Sequence, residues 1–422
     1  MFKQNLFFSN RFLNVGIRAI SMLSKFLLII VLAKKLPLSD LGTYGLLVAG
    51  IGFAVLFIGF DYYSYSNREL LSVHKDKWSQ IIVNQMYAYL PLYLIFIPIS
   101  VLIYYYEFLP SGYFVWFIVL MVIEHISIEQ NRLLNTMQKQ LSASMVLFLR
   151  SGAWVLFVLP LVIYIDYFRT LETILYAWLI GGLASVLFAT FTIKGSIQGW
   201  YFVKPDYTWI FKGYKIGFLF IFGTVAFRAI STGDRFLLEH LSDLGMVGVY
   251  IFYVSLTVGA TAFIHAGVIV FSVPKIVTSF QKGEFSKFQS LMNQFFKELI
   301  IAIVAMTVLL YIFMPFIIEW VDKVSYVEHY SVFYIILATA GVTVLSSHPG
   351  TYLYASKRDR YILLSNLSAL LVFALLSIFF YFYFLEYAAL YRVSLSVLIA
   401  FLWLLFSKYV GYFYYTKTKK AI

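Results

Sequence analysis

Long apolar stretches, separated by short polar breaks, recur from one end of the 422-residue chain to the other. A helix needs ~20 residues to cross a hydrocarbon core of about 30 Å, and about twelve stretches reach that length. The predicted spans are 12–33, 43–64, 81–104, 113–134, 142–165, 172–193, 215–234, 246–272, 293–318, 328–354, 361–384 and 388–410. Barrel strands alternate polar and apolar residues, whereas FALLSIFFYFYF has no polar face. We therefore expect an all-α polytopic membrane protein.

Composition narrows the class of protein further. Hydrophobic residues make up 62% of the chain and charged residues 12%, against roughly a quarter charged in soluble domains. The chain has no Cys, which excludes disulfides, thiol nucleophiles and Cys-ligated metals. The motifs GxxxxGK[ST], HExxH and GxSxG are also missing from the sequence. We expect a protein that is not an enzyme and that has no cofactor and no metal site.

The distribution of Lys and Arg predicts the orientation of the chain. If both termini are cytoplasmic, most basic residues between the spans fall on the cytoplasmic side, as the positive-inside rule requires. The exceptions on the opposite side are Lys34, Lys35, Arg169, Arg235 and Lys323. Topology accounts in this way for most of the net charge of +12, and no nucleic-acid partner is expected.

Two short sequences occur twice, in the same order. RAISMLSKFLL at Arg18–Leu28 returns as RAISTGDRFLL at Arg228–Leu238, and SDLGTYG at Ser39–Gly45 returns as SDLGMVG at Ser242–Gly248. The repeat predicts a duplication with six spans in each half, residues 1–200 and 201–422. An even number of spans gives both halves the same orientation, so an axis along the membrane normal should relate them. This is the plan of a two-bundle transporter.

Basic residues also occur inside the predicted spans. Arg18 and Lys25 are seven residues apart, which places them on one helix face. A cation at the bilayer centre costs about 2.5 to 3.5 kcal/mol on insertion scales, so such residues snorkel to an interface, pair with acids or line a wet cavity. Snorkelling suits Arg11, and a hydrated cavity between the bundles suits Arg18, Lys25 and Arg228. Arg235 could instead form a surface ion pair, because Asp234 and Glu239 are near in sequence.

The fourth predicted span carries the sequence EHISIEQNR. His125, Glu129 and Arg132 share a stripe at spacings of four and three, and Glu124 lies beside them. Arg132 could simply neutralise Glu129, or the whole cluster could line the cavity. In the second case Glu124 or His125 is the best site for a coupling proton, since burial raises a carboxyl pKa and His titrates near neutrality.

Three further residues are weaker or more ambiguous candidates. Arg150 in the fifth span could line the cavity or pair with the acids of the fourth span. Asp61, late in the second span, is a secondary candidate for ion coupling. His265 in the eighth span is more typical of a structural residue.

Several segments resemble a known family. They are the basic first span, SDLGTYGLL, GDRFLL and FSVPKIVTSF, and they are similar to the polysaccharide-export branch of the multidrug/oligosaccharidyl-lipid/polysaccharide exporters, above all the O-antigen flippases (Wzx-type). The resemblance implies a MATE-like fold in the bacterial inner membrane. It also implies translocation of an undecaprenyl-diphosphate-linked oligosaccharide, an O-antigen unit of lipopolysaccharide or a related surface polysaccharide, from the cytoplasmic to the periplasmic face.

The cations then fit the head group of such a substrate. Guanidinium forks match diphosphate oxygens and Lys supplies a point charge. The predicted substrate-binding residues are Arg18, Lys25, Arg228, Arg150 and Arg132, and the predicted ion-coupling residues are Glu124, His125, Glu129 and Asp61. Besides the lipid-linked glycan, the expected partners are membrane lipids, and candidate protein partners are a polysaccharide polymerase and chain-length proteins.

Three other functions remain open on the sequence alone. A multidrug cation antiporter of the same superfamily would need acids in its pocket, and the cations within the predicted spans outnumber what such a pocket would tolerate. A polymerase or ligase acting on the same lipid-linked glycan would carry a long periplasmic loop with catalytic residues. A structural subunit of a polysaccharide assembly complex would not transport anything.

Overall fold

The computed structural model describes residues 2–106, 110, 112–197, 203–385 and 388–419. Within these ranges the chain is almost entirely helical and forms no β-strand. The helices are α1 Phe2–Lys35, α2 Leu38–Gly59, α3 Tyr63–Ser72, α4 Trp78–Tyr105, α5 Phe114–Thr136, α6 Gln140–Phe148, α7 Trp154–Tyr164, α8 Leu171–Lys194, α9 Tyr207–Leu241, α10 Leu244–Ile264, α11 Val270–Gln281, α12 Phe285–Val321, α13 Val324–Glu328, α14 Tyr330–Leu345, α15 Ser347–Ala355, α16 Asp359–Tyr383 and α17 Ala389–Lys419. The prediction of an all-α fold is confirmed.

Helix length and hydropathy confirm a multi-pass membrane protein. In the described part of the chain, 11 helices are long and apolar enough to cross a membrane, and α9 adds a twelfth span if its two halves count together. These halves, Tyr207–Phe218 and Ile221–Leu241, meet at a bend of 49°. Two π-helical turns, Leu149–Ala153 and His265–Ile269, join α6 to α7 and α10 to α11. Each of these pairs forms a single span.

The second span differs from its predicted bounds of 43–64. It begins at Leu38, so SDLGTYG forms the first two turns of α2, and it ends at Gly59. Phe60 and Asp61 follow with φ of 49° each, a left-handed backbone that no α-helix can continue. Asp61 therefore lies in the turn after the span and not late within it, because hydropathy does not detect a backbone reversal among apolar neighbours.

Lys408 also differs from expectation. The positive-inside count puts it among the cytoplasmic residues, near the end of the last predicted span, 388–410, whereas the span in the structure, Ala389–Thr416, continues beyond it. Lys408 is only 9% exposed, and its ammonium lies 3.7 Å from the position that a Cβ on Gly350 would take. Helix α15 packs against α17 and thus covers Lys408, which the sequence analysis expected to be exposed to solvent.

The chain divides into two compact units. The first consists of Met1–Leu36 and Thr43–Phe222, the second of Pro37–Gly42 and Gly223–Ile422. In the first, α5 packs against α6 and α8, and α1 packs against α6, α7 and the π-turn between them. In the second, α17 packs against α14, α15 and α16. The predicted boundary between residues 200 and 201 lies outside the described residues.

Within the second unit, the two copies of the SDLG repeat meet backbone to backbone. A Cβ on Gly42 would collide with the carbonyl oxygen of Leu244, and a Cβ on Gly248 would collide with that of Leu38. Asp243 caps α10 by accepting a hydrogen bond from the Met246 amide at 3.0 Å. The first turns of α2 and α10 can approach this closely only because the repeat places glycine at the contact.

We expect Gly42→Ala to destabilise the protein by about 1 to 3 kcal/mol, the usual cost of forcing atoms into a packed contact. The matched control is Gly52→Ala in the same helix, where an added Cβ meets nothing within 4 Å and the helix propensity improves. Unfolding in detergent, followed by tryptophan fluorescence, measures both. Equal stability of the two variants would contradict the close approach.

Candidate functional site

The first helix carries Lys25 on a different face from its neighbouring exposed leucines. Lys25 lies near the middle of the span Leu13–Lys35, and its side chain is exposed. Leu23 and Leu27, which are also exposed, lie two residues away on either side and therefore about 160° around the helix. The exposed surface of Lys25 is thus on the opposite side of α1 from these two leucines.

Arg18 is tethered to the neighbouring helix. Its Nε donates a hydrogen bond to Ser144 Oγ on α6 at 2.9 Å, and Ser144 in turn donates to Asn14 Oδ1. This contact leaves the terminal nitrogens of the guanidinium for other partners. Arg18 is half-buried. It precedes Lys25 by about two helical turns and lies about 10 Å from it along the helix axis.

Arg150 lies in the π-turn between α6 and α7. Its Nη1 donates to Glu124 Oε2 at 3.1 Å, and the two side chains are only 15% and 13% exposed. Arg150 Nε is buried and has no hydrogen-bond partner in the described structure. The π-turn adds a residue to the helical turn at the point where α1 and α8 both pack.

Two glycines allow this crowding around Arg150. An added Cβ on Gly152 would come within 3.0 Å of Ser21 Cα on α1, and one on Gly181 of α8 would come within 2.8 Å of the Leu149 carbonyl oxygen. Both contacts are closer than a side chain tolerates. Glycine at these two positions therefore allows α1 and α8 to pack closely against the π-turn.

Glu124 is held from two sides. Its Oε1 accepts a hydrogen bond from Trp178 Nε1 of α8 at 2.6 Å, while Oε2 takes the bond from Arg150. Lys25 is near enough to Arg150 and Glu124 to interact electrostatically with both. We call Lys25, Glu124, Arg150 and Trp178 the mid-span cluster, because its three charged members lie near the middle of their spans.

A second cluster on α4 and α5 surrounds Glu129. Arg132 Nη1 donates to Glu129 Oε1 at 2.5 Å, and Gln85 Nε2 and Tyr89 OH both donate to Oε2, at 3.0 and 2.7 Å. The guanidinium carbon of Arg132 also lies 3.7 Å from the ring centre of Tyr63. Of the two alternatives left open by the sequence, the structure shows the ion pair between Arg132 and Glu129.

His125 lies beside the second cluster. Its Nδ1 is 2.6 Å from Tyr93 OH, and its ring packs edge-on against Tyr89. Its Nε2 is buried without a hydrogen-bond partner among the described residues. The backbone of Gly59 lies beside this nitrogen and beside Glu129 Oε1, since an added Cβ would be 3.7 and 3.8 Å from them.

The remaining predicted residues lie elsewhere. Arg228 is an exposed residue of α9 in the second unit, and His265 is an exposed residue that opens the second π-turn. Asp234 is 3% exposed and accepts hydrogen bonds from Tyr250 OH at 2.6 Å and from the Arg235 amide at 2.8 Å. The ion pair that the sequence allowed for Arg235 does form with Asp234, at 3.9 Å from Arg235 Nε, but it is buried and not at the surface, since the two side chains are 13% and 4% exposed.

Sequence reasoning missed the neutral partners in both clusters. Gln85, Tyr89 and Tyr93 follow one another at intervals of four on α4, and this polar stripe is a signal that could have paired α4 with the charged stripe of α5. Trp178 gave no such signal, since a single Trp in an apolar helix is typical of packing. Among the described residues, no group of three His, Asp or Glu side chains could hold a metal ion.

No family model and no curated protein matches the sequence. Solved structures do match. A multidrug resistance MATE family transporter of the MOP superfamily, in an inward-facing conformation, superposes with a TM-score of 0.75 at 14% identity, over 97% of this chain and 98% of that one. An outward-facing conformation of such a transporter gives a TM-score of 0.58 at 13% identity, over 97% of this chain and 95% of that one.

The lipid II flippase MurJ, in an inward closed conformation, superposes with a TM-score of 0.71 at 14% identity, over 95% of this chain and 87% of that one. At these identities the similarity establishes the fold, over nearly the whole chain. The protein therefore has the all-α membrane fold that MATE family transporters share with the lipid II flippase MurJ.

Proposed function

We propose that the protein is a flippase of the bacterial inner membrane. Its substrate is an undecaprenyl-diphosphate-linked oligosaccharide, an O-antigen unit or a related unit of surface polysaccharide, which it moves from the cytoplasmic to the periplasmic leaflet. The fold supports the coarser part of this proposal, since the similar solved structures include both MATE transporters and a lipid II flippase. The chemistry of the mid-span cluster supports the choice of an anionic substrate.

The excess of positive charge at mid-span is the observation that carries the proposal. The mid-span cluster holds two cations, Lys25 and Arg150, and one carboxylate, Glu124, which pairs with Arg150, and Glu129 is already neutralised by Arg132. A cation at the centre of a bilayer costs about 2.5 to 3.5 kcal/mol on insertion scales. A chain that keeps Lys25 exposed at this depth gains from it only if an anion binds there.

A lipid diphosphate is an anion that needs such a site. Its charged head group cannot cross hydrocarbon unaided, and its oxygens match the fork of Arg and the point charge of Lys. Arg18, Lys25 and Arg150 would replace water around the diphosphate while the polyprenyl chain stays in lipid.

We further propose that transport proceeds by alternating access and is coupled to an ion gradient. Inward-facing and outward-facing conformations both occur for this fold. Among the coupling candidates, Glu124 and Glu129 are each bound by an Arg and by neutral donors. His125 keeps a buried nitrogen without a partner in the described structure, and it stays a candidate for the coupling proton in this proposal.

A multidrug cation antiporter is the second candidate, because the transporter that superposes with a TM-score of 0.75 has multidrug resistance in its description. A cationic drug needs a carboxylate that is not already satisfied. In the described part of the first unit, the two acids at the site both hold guanidinium groups. The charge balance therefore favours the lipid diphosphate over the drug.

Translocation by the purified full-length chain in liposomes tests the proposal. A fluorescent undecaprenyl-diphosphate disaccharide reports transfer between leaflets when a quencher that cannot cross the membrane is added outside, and ethidium is assayed in parallel. We expect the lipid to cross faster than in protein-free liposomes and ethidium not to be transported. Ethidium transport without lipid transfer would overturn the proposal in favour of the antiporter.

A further inference from the structure

Glu124 occupies an unusual place for an acid in a site that must attract an anion. It lies among the cations of the mid-span cluster and holds Arg150 through one oxygen only, at 3.1 Å. Its other oxygen is bound by Trp178 at a shorter 2.6 Å. Because the two oxygens have different partners, Arg150 can leave without stranding the carboxylate.

Arg150 also uses only part of its hydrogen-bonding capacity. Its Nη1 contacts Glu124, whereas its Nε is buried with no acceptor among the described residues. A buried guanidinium nitrogen without an acceptor is costly, and the pair formed by Nε and a terminal nitrogen is the fork that binds phosphate oxygens bidentately. The contact with Glu124 thus satisfies Arg150 less well than a phosphate group would.

From these contacts we infer that Glu124 is an exchangeable counter-ion. With no substrate bound, it neutralises Arg150 and competes with the incoming anion. When a diphosphate binds, Arg150 turns its fork to the phosphate, and the carboxylate is retained by Trp178. When the head group leaves, Glu124 takes Arg150 back and so favours release. This inference rests on the proposed function and assigns Glu124 and Trp178 as positioning residues that act through Arg150.

The charge count indicates which head group such an arrangement prefers. Arg18, Lys25 and Arg150 bring three positive charges, and Glu124 brings one negative charge. The two positive charges in excess equal the two negative charges of a diphosphate diester and exceed the single charge of a phosphate diester. Glu124 therefore lowers the excess of positive charge to the value that matches a diphosphate diester.

Binding of farnesyl diphosphate to the purified full-length protein, measured by calorimetry, tests the exchange. We expect Glu124→Gln to bind it about tenfold more tightly, since the ligand no longer displaces a carboxylate from Arg150. The same variant should translocate the lipid-linked disaccharide more slowly, because release has lost its competitor. Trp178→Phe should act in the opposite direction on affinity, since Glu124 then depends on Arg150 alone.

Glu172→Gln is the matched control for the loss of one negative charge. Glu172 is an exposed residue in the first turn of α8, and the change should alter neither affinity nor transport. Unchanged or weaker binding of farnesyl diphosphate by folded Glu124→Gln overturns the inference. If that variant does not fold, unchanged or tighter binding by Trp178→Phe overturns it instead.

The two levels of the proposal fail differently. A wild type that binds no farnesyl diphosphate at all overturns the proposed function, and the exchange falls with it. A wild type that binds the diphosphate, together with variants that do not move its affinity in opposite directions, overturns only the exchange at Glu124. A purely structural role of Glu124 would lower affinity and transport together, which also contradicts the inference.

Discussion

Lys25→Ala is expected to reduce translocation of the lipid-linked disaccharide at least tenfold while the protein stays folded. A bond to a charged group contributes about 1.5 to 3 kcal/mol, and 1.4 kcal/mol corresponds to a factor of ten. Lys25 is the exposed cation of the mid-span cluster, so its loss removes a contact with substrate and no packing. Removing a mid-span charge also removes its cost of insertion, and the variant should be at least as stable as the wild type.

Two controls make this result specific. Lys25→Arg keeps the charge and should retain most of the transport. Lys287→Ala removes a cation that is 65% exposed and pairs with Glu284 in the first turn of α12, and transport should be unaffected. The initial rate of transfer in liposomes and the unfolding midpoint in detergent are the two measurements. Full transport by Lys25→Ala would remove the basis for an anion site on α1.

Arg132→Met is expected to lower the free energy of unfolding by about 3 kcal/mol. Breaking a buried ion pair from one side costs about 3 to 5 kcal/mol, because the remaining charge is left uncompensated. Glu129 is 9% exposed and Arg132 is 36% exposed, so the lower end of that range applies. The hydrogen bonds from Gln85 and Tyr89 keep the carboxylate in place but do not neutralise it.

The double variant Glu129→Gln/Arg132→Met distinguishes the pair from general packing. With both charges gone, no buried charge remains, and we expect the double variant to be more stable than Arg132→Met alone. Lys287→Met breaks the exposed pair with Glu284 and should leave the stability nearly unchanged, because solvent screens exposed pairs. Unfolding in mixed micelles, followed by tryptophan fluorescence, gives all three values. Additive losses in the double variant would contradict a coupled pair.

The spans were predictable from sequence because a run of apolar residues has few alternatives to a membrane helix. The break after Gly59 was not, since Phe60 and Asp61 both take a left-handed backbone, which is uncommon for any residue other than Gly. The π-turn at Leu149–Ala153 was equally hidden. It depends on how α1 and α8 pack around it, which is a matter of tertiary contact rather than of local sequence.

The same distinction applies to the site. Arg132 and Glu129 are three residues apart on one helix, so their pairing could be weighed from sequence alone. Arg150 and Glu124 are separated by 26 residues, and Trp178 is 54 residues from Glu124. Hydropathy identifies these charges as unusual, but their partners follow only from the arrangement of α5, α8 and the π-turn.

The contact between the two copies of the SDLG repeat has a consequence for how the gene can change. Gly42 faces the carbonyl oxygen of Leu244, and Gly248 faces that of Leu38. The backbone at each copy therefore limits the size of the residue that the other can carry. After a duplication, most paired segments are free to drift apart. Here a larger residue in one copy would require a shift in the other, so the contact itself opposes divergence of the two sequences.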